Sequence, residues 1–164
     1  MKTRKTLAMI IAGAAMSLTQ TAAAAPAPSA KLWGGTWHLN AGKSKFSLPD
    51  TQEKAETRHY TVSGNHVVMK TSVTGPSGKT VNWSYDAHWD GKPYPMVGNK
   101  GGDHISLEPV SDREVSSKTM LKGKLSATAT ASVSADGKEL TIHRKILNVK
   151  GGPSDDLLVF DRAK

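Results

Sequence analysis

Six histidines, a sparse set of carboxylates and one arginine in an apolar phase are the residues of this chain with chemistry to offer. Metal ligation needs such side chains at ligand spacing, as in His-x-His or HExxH. Neither spacing occurs, and His38, His88 and His104 fall out of phase with the apolar positions around them, which puts them in water. There is no Cys, hence no thiolate zinc site, no disulfide framework and no thiol for lipid attachment. A serine nucleophile would need a GxSxG elbow, which is absent. The carboxylates lie mostly in turns or beside lysines, so no acid–base pair stands out. Glycines sit singly at turns and open no phosphate-binding helix. These patterns predict no enzyme, no metal and no cofactor.

The remaining chemistry is that of binding. In Thr80 to Asp90 (TVNWSYDAHWD), Val81, Trp83, Tyr85, Ala87 and Trp89 take alternate positions, and polar residues take the others. A period of two places successive side chains on opposite faces, so this is a strand with a dry face and a wet one. Three large aromatics on the dry face need a core or a ligand against them. Lys124 to Ser134 alternates too, with Leu125, Ala127, Ala129, Ala131 and Val133 on one face, and its neighbour offers Ser117 and Thr119. Small residues facing large aromatics either interdigitate and fill the interior or leave an apolar pocket. Arg144 shares the phase of Leu140, Ile142 and Ile146, so a regular strand points it inward. A buried cation must be paired; in a pocket it would hold the carboxylate of a fatty-acid-like molecule. A side chain snorkelling at the mouth, or a bulge that flips the phase, accounts for Arg144 equally.

The positioning elements are short strands between turn residues. Thr57 to Ser63 turns at Gly64-Asn65, His66 to Thr74 at GPSGK, and the aromatic strand at Asp90-Gly91. PYPMV reads as an edge piece or a bend, because its prolines cannot donate to a ladder. Further strands follow at 104–110, 114–121, 124–134, 139–148 and 156–162. One helical turn is expected within Ala41 to Phe46, and a loop over Ser47 to Ala55. Eight to ten strands joined by tight turns suit a closed antiparallel up-and-down barrel better than a sandwich, since neighbours pair in sequence and no edge is left open.

The chain begins with a basic start (Lys2, Arg4, Lys5), an apolar run from Leu7 to Leu18 and the small-residue exit Ala22-Ala23-Ala24. That is the order of parts in a secretory signal peptide, and the run is too short to span a membrane. The domain plan is therefore a signal peptide over 1–24, a flexible lead over 25–30 and one barrel over 31–164. Cleavage near Ala24 would deliver the protein to the periplasm or the cell exterior, with no segment left for stable membrane insertion. The formal charge of +8 falls to +5 once Lys2, Arg4 and Lys5 leave. That balance suits anionic partners or simply scattered surface lysines. A nucleic-acid groove would need exposed aromatics beside clustered lysines, and the chain has neither.

Gly35-Thr36-Trp37 with Leu39-Asn40 and Lys43-Ser44-Lys45-Phe46, then Tyr85 and Asp90 to Pro95, then Val133-Ser134 with Asp136-Gly137-Lys138 and Phe160-Asp161-Arg162, resemble a group of secreted, lipocalin-like bacterial proteins of unknown function. The resemblance covers nearly the whole chain after the leader. It implies a small all-β, lipocalin/calycin-like barrel and an exported location, with no established activity. The segment after Phe46 lacks the Gly-Pro-rich run of that group. In lipocalins the Trp of a first-strand Gly-x-Trp packs under an Arg near the end of the last strand. By resemblance, Trp37 and Arg162 are that structural pair; alternatively Trp37 is an ordinary core residue and Arg162 a solvated tail charge. Two functions stand: a binding barrel lined by Trp83, Tyr85, Trp89, Ala127, Ala129 and Arg144 for a small apolar ligand, or a structural envelope protein with a filled interior.

Overall fold

The computed structural model describes residues 25–164, so the leader sequence and its cleavage site lie outside the described residues. Alternating apolar side chains produce ten strands: β1 (Gly35–Leu39), β2 (Ala55–Ser63), β3 (His66–Thr74), β4 (Thr80–His88), β5 (Pro93–Val97), β6 (His104–Pro109), β7 (Glu114–Leu121), β8 (Lys124–Val133), β9 (Glu139–Ile146) and β10 (Asp156–Arg162). Each pairs antiparallel with its sequence neighbours, and β1 also pairs with β10, which closes an up-and-down barrel. Closure satisfies every ladder and removes the edges that an open sheet would expose. Among the described residues, no helix is long and apolar enough to cross a membrane.

The core lies inside the ring. Leu140, Leu158 and Phe160 are fully buried, each contributing roughly 1.5–3 kcal/mol of transfer free energy. The turns after β2, β4, β6 and β8 gather at one end, with the one-turn helix α1 (Ala30–Trp33) against them. The Ser29 carbonyl accepts the N–H groups of Leu32 and Trp33, which holds that turn. The expected helical turn is thus misplaced: 41–46 forms turns and a single bridge from Lys45 to Leu157. The 25–30 lead is also more ordered than expected, since Pro28 is buried and Ala30 begins α1. Burial of Trp33 against the barrel end makes that turn worth forming.

Three further expectations change. Within the 47–55 loop, Pro49–Thr51 forms a 3-10 turn, and Thr51 and Glu53 are buried. β5 is neither an edge nor a bend but a member of the ring; it pairs with β4 at only two register positions and with β6 at three. Leu125 does not face inward: it is 39% exposed, while Ser126 is buried. A β-bulge at Thr119/Met120 shifts the register so that Met120 faces Leu125 and Thr119 faces Ala127. An extra residue in one strand reverses the alternation beyond it.

Candidate functional site

The end near α1 is sealed. Trp33 packs edge-on to Tyr60 at 6.3 Å and tilted to Trp89 at 5.8 Å. Its indole N–H donates to the Asp112 carbonyl in the β6–β7 turn at 3.0 Å, and the Trp37 indole donates to the Trp33 carbonyl at 3.1 Å. Arg162 lies 4.1 Å over the Trp37 ring and donates to the carbonyls of Leu32, Gly34 and Gly137. One guanidinium thereby ties α1, β1 and the β8–β9 turn together, with a cation–π contact beneath. Gly35 is required beside it: its φ is +115°, and a Cβ there would meet the Arg162 guanidinium at 3.0 Å. Trp37 is fully buried, and Arg162 is no free tail charge.

Above this floor the barrel encloses a cavity of about 350 Å³. Trp83, Tyr85 and Trp89 line one wall, and Ala127, Ala129 and Ala131 line another. Ser117, Thr119 and Arg144 also reach it, so every residue nominated for the pocket lies on one surface. The alanines and aromatics do not interdigitate fully, so the filled interior does not form. Trp83 and Tyr85 lie 6.4 Å apart between ring centres, tilted by 39°. Asn99, Lys100 and Gly101, from the β5–β6 loop, stand at the mouth.

Arg144 is not the one charge of this cavity. Its guanidinium donates to Glu53 Oε1 at 2.6 Å and to Asp156 Oδ2 at 3.2 Å. Asp156 is itself anchored: its Oδ1 accepts from the Ser47 N–H and hydroxyl and from Thr51, and its Oδ2 from Ser154. Burial acts to raise this carboxyl, but the Ser47 N–H, the Arg144 guanidinium and the Thr51 hydroxyl outweigh it and hold it below the usual carboxylate range. The segment after β1 is fastened to β10 through this carboxylate, which places Glu53 over the cavity.

A second ion pair continues the ladder down β2. Arg58 Nε lies 2.6 Å from Glu56 Oε1, which also accepts from the Thr71 hydroxyl at 2.8 Å. Arg58 donates to the Tyr60 hydroxyl at 3.4 Å, between the rings of Phe160 at 5.1 Å and Trp83 at 5.7 Å. Burial pushes the Glu53 carboxyl up to about 8, the Glu56 charge adds to this, and Arg144 opposes it only in part. Burial also acts to raise Glu56, but Arg58, Glu53 and Thr71 outweigh it and keep Glu56 below its ordinary range. Glu53 therefore carries a proton at neutral pH and shares it with an ionised Glu56.

Sequence reasoning passed over Glu53, Glu56 and Arg58. The signal for two of them was present, since Glu56, Arg58, Tyr60 and Val62 alternate within β2. Glu53 carried no such signal, because it precedes the strand. No acid–base pair stands out in the sequence, yet the fold brings two acids three residues apart, Glu53 and Glu56, into hydrogen-bonding reach at the entrance to β2. No group of three or more His, Asp or Glu side chains suited to a metal ion forms among the described residues.

No protein-family model and no curated protein matches the chain. Among solved structures it is similar to zebrafish ileal bile acid-binding protein complexed with cholic acid, with a TM-score of 0.52 at 10% identity, over 80% of this chain and 99% of that one. A weaker likeness, with a TM-score of 0.34 at 11% identity over 79% of this chain and 73% of the other, is to the siderocalin Ex-FABP. The first likeness is one of fold: the chain is a closed ten-stranded antiparallel barrel of the lipocalin/calycin-like type.

Proposed function

We propose that this barrel is a non-enzymatic binding protein for a small apolar or amphipathic molecule held inside it. The observation that carries the reading is the cavity of about 350 Å³, walled by Trp83, Tyr85, Trp89 and small alanines. Its size and apolar make-up fall in the range of small-molecule sites. The zebrafish protein of the same fold is complexed with a bile acid, which accords with such a role. A structural protein with a packed interior would not keep this space. The fatty-acid reading built on Arg144 loses support, because Glu53 and Asp156 already occupy that guanidinium.

The leader-like start, with its apolar run and Ala22-Ala23-Ala24 exit, supports export to the periplasm or beyond, with the protein beginning at Ala25. The intact mass of protein recovered from its own host decides this: retention of Met1 to Ala24 refutes export by cleavage. Native mass spectrometry of the same sample tests the binding role by looking for a small molecule that travels with the barrel. Titration with an uncharged fluorescent probe, N-phenyl-1-naphthylamine, gives a second test. Saturable enhancement, reversed by a lipid extract, is expected; a flat titration refutes the reading.

A further inference from the structure

The up-and-down topology collects lysines that are scattered singly along the sequence. The links at the open end of the barrel are 40–54, 75–79, 98–103, 122–123 and 147–155, and each carries an exposed lysine: Lys54, Lys79, Lys100, Lys122 and Lys150. Lys124, the first residue of β8, is exposed beside them. The lysines that form ion pairs are Lys43, Lys92 and Lys138, so among the described residues none of these six is paired. The acids of the same links are fewer. Asp50 and Asp155 are exposed, Asp103 is engaged by the Lys122 N–H and the His104 ring, and Glu53 is held by Arg144. The turns at the sealed end carry matched charges instead: Asp90 with Lys92, Asp112 with Arg113 and Asp136 with Lys138. The rim around the cavity mouth is therefore positive, while the turns at the sealed end are balanced.

The same rim exposes apolar side chains. Three large ones are exposed among the described residues: Val97, at 67%, ends β5; Leu125, at 39%, follows Lys124; and Val110 stands at the sealed end. Val97 directly precedes the 98–103 loop, whose Asn99, Lys100 and Gly101 stand at the cavity mouth. We propose that this rim docks on an anionic lipid bilayer, with the six lysines against the headgroup phosphates and Val97 and Leu125 entering the interface. Cationic side chains and apolar tips on one face are the two contributions that peripheral membrane binding combines. Lysines spread around five links suit a partner whose charge is laterally uniform, as a bilayer's is. A folded acidic partner would instead be met by one contiguous patch. Docking in this pose sets the cavity mouth against the phase in which apolar molecules dissolve. That consequence rests on the binding role above; the docking itself does not.

The test is sedimentation of the protein with vesicles of equal parts phosphatidylglycerol and phosphatidylcholine, and with vesicles of phosphatidylcholine alone. Binding to the anionic vesicles only is expected. It should weaken as salt shortens the reach of these charges, from about 30 Å at about 0.01 M to about 8 Å at about 0.15 M. Each lysine near an anionic surface strengthens binding roughly five-fold, so Lys100→Gln with Lys124→Gln should weaken it roughly twenty-five-fold. Lys92→Gln with Lys138→Gln makes the same change of charge at the sealed end and should leave binding nearly unchanged. The chain has no Cys, so one introduced thiol takes a polarity-sensitive dye at a single place. The dye should shift to the blue on anionic vesicles at Val97→Cys and Leu125→Cys, and should not shift at Val110→Cys. Absence of binding to anionic vesicles, equal losses from the two lysine pairs, or an equal shift at Val110→Cys overturns the proposal. So does a doubled mass in sedimentation equilibrium that Leu125→Ser abolishes, which would give the rim to a second copy. All of this is read without a ligand in the cavity. Failure here therefore leaves the binding role standing, and a flat probe titration leaves the docking standing.

Discussion

Replacing Glu53 by Gln should change how the stability of the barrel depends on pH. Glu53 holds its proton up to about pH 8 in the folded protein, whereas an exposed Glu releases it near 4.3. Between those values the folded state binds more protons than the unfolded one, so stability falls as pH rises and levels off above about 8. Each pH unit within that window corresponds to about 1.4 kcal/mol. From pH 6 to pH 8 the native protein should lose about 2 kcal/mol, slightly less than the full slope because the group begins to ionise near the upper limit. Gln keeps the shape and the acceptor for Arg144 but cannot ionise, so the variant should lack this slope. The perturbed aspartates do not interfere: Asp90, Asp103, Asp136 and Asp156 are all lowered, and their contributions are lost only as pH falls toward the acid range. Urea unfolding followed by Trp fluorescence at pH 6, 7, 8 and 9 measures both proteins. Equal slopes for the two would refute a buried, protonated Glu53.

Arg144→Met should cost about 1.5–3 kcal/mol at pH 7, near the value of hydrogen bonds to charged groups. That is less than breaking a buried pair usually costs, since Asp156 keeps donors from Ser47, Thr51 and Ser154 and Glu53 keeps its proton. A loss above that range in chemical denaturation would mean that Glu53 is ionised. Arg162→Leu should cost about 2–4 kcal/mol and raise hydrogen exchange in α1, because three carbonyls and the Trp37 face lose their partner. An unchanged melting temperature would count against that closure. Ala129→Trp should be tolerated within about 1 kcal/mol while abolishing probe binding; a cost of 1–3 kcal/mol would show an overpacked wall instead.

The sequence by itself determined which side chains face the interior wherever a strand stays regular. The alternation in 80–90 carried Trp83, Tyr85 and Trp89 to the cavity, and Arg144 followed Leu140 and Ile142 inward. Period-two patterning and turn residues are local properties, so a ring of neighbouring hairpins could be read from them directly. Trp37 and Arg162 were legible only as a matched pattern at the two ends of the chain; their contact needs β1 to meet β10. Tertiary structure alone decided the bulge at Thr119/Met120, which turned Leu125 outward, and the seating of Trp33, whose helical turn has no period to announce it. It also decided the charge ladder. Glu53 lies outside any strand, and its partner Arg144 lies 91 positions away in the chain. No local pattern encodes such a meeting, because it exists only once loop 47–54 is fastened across the barrel mouth by Asp156.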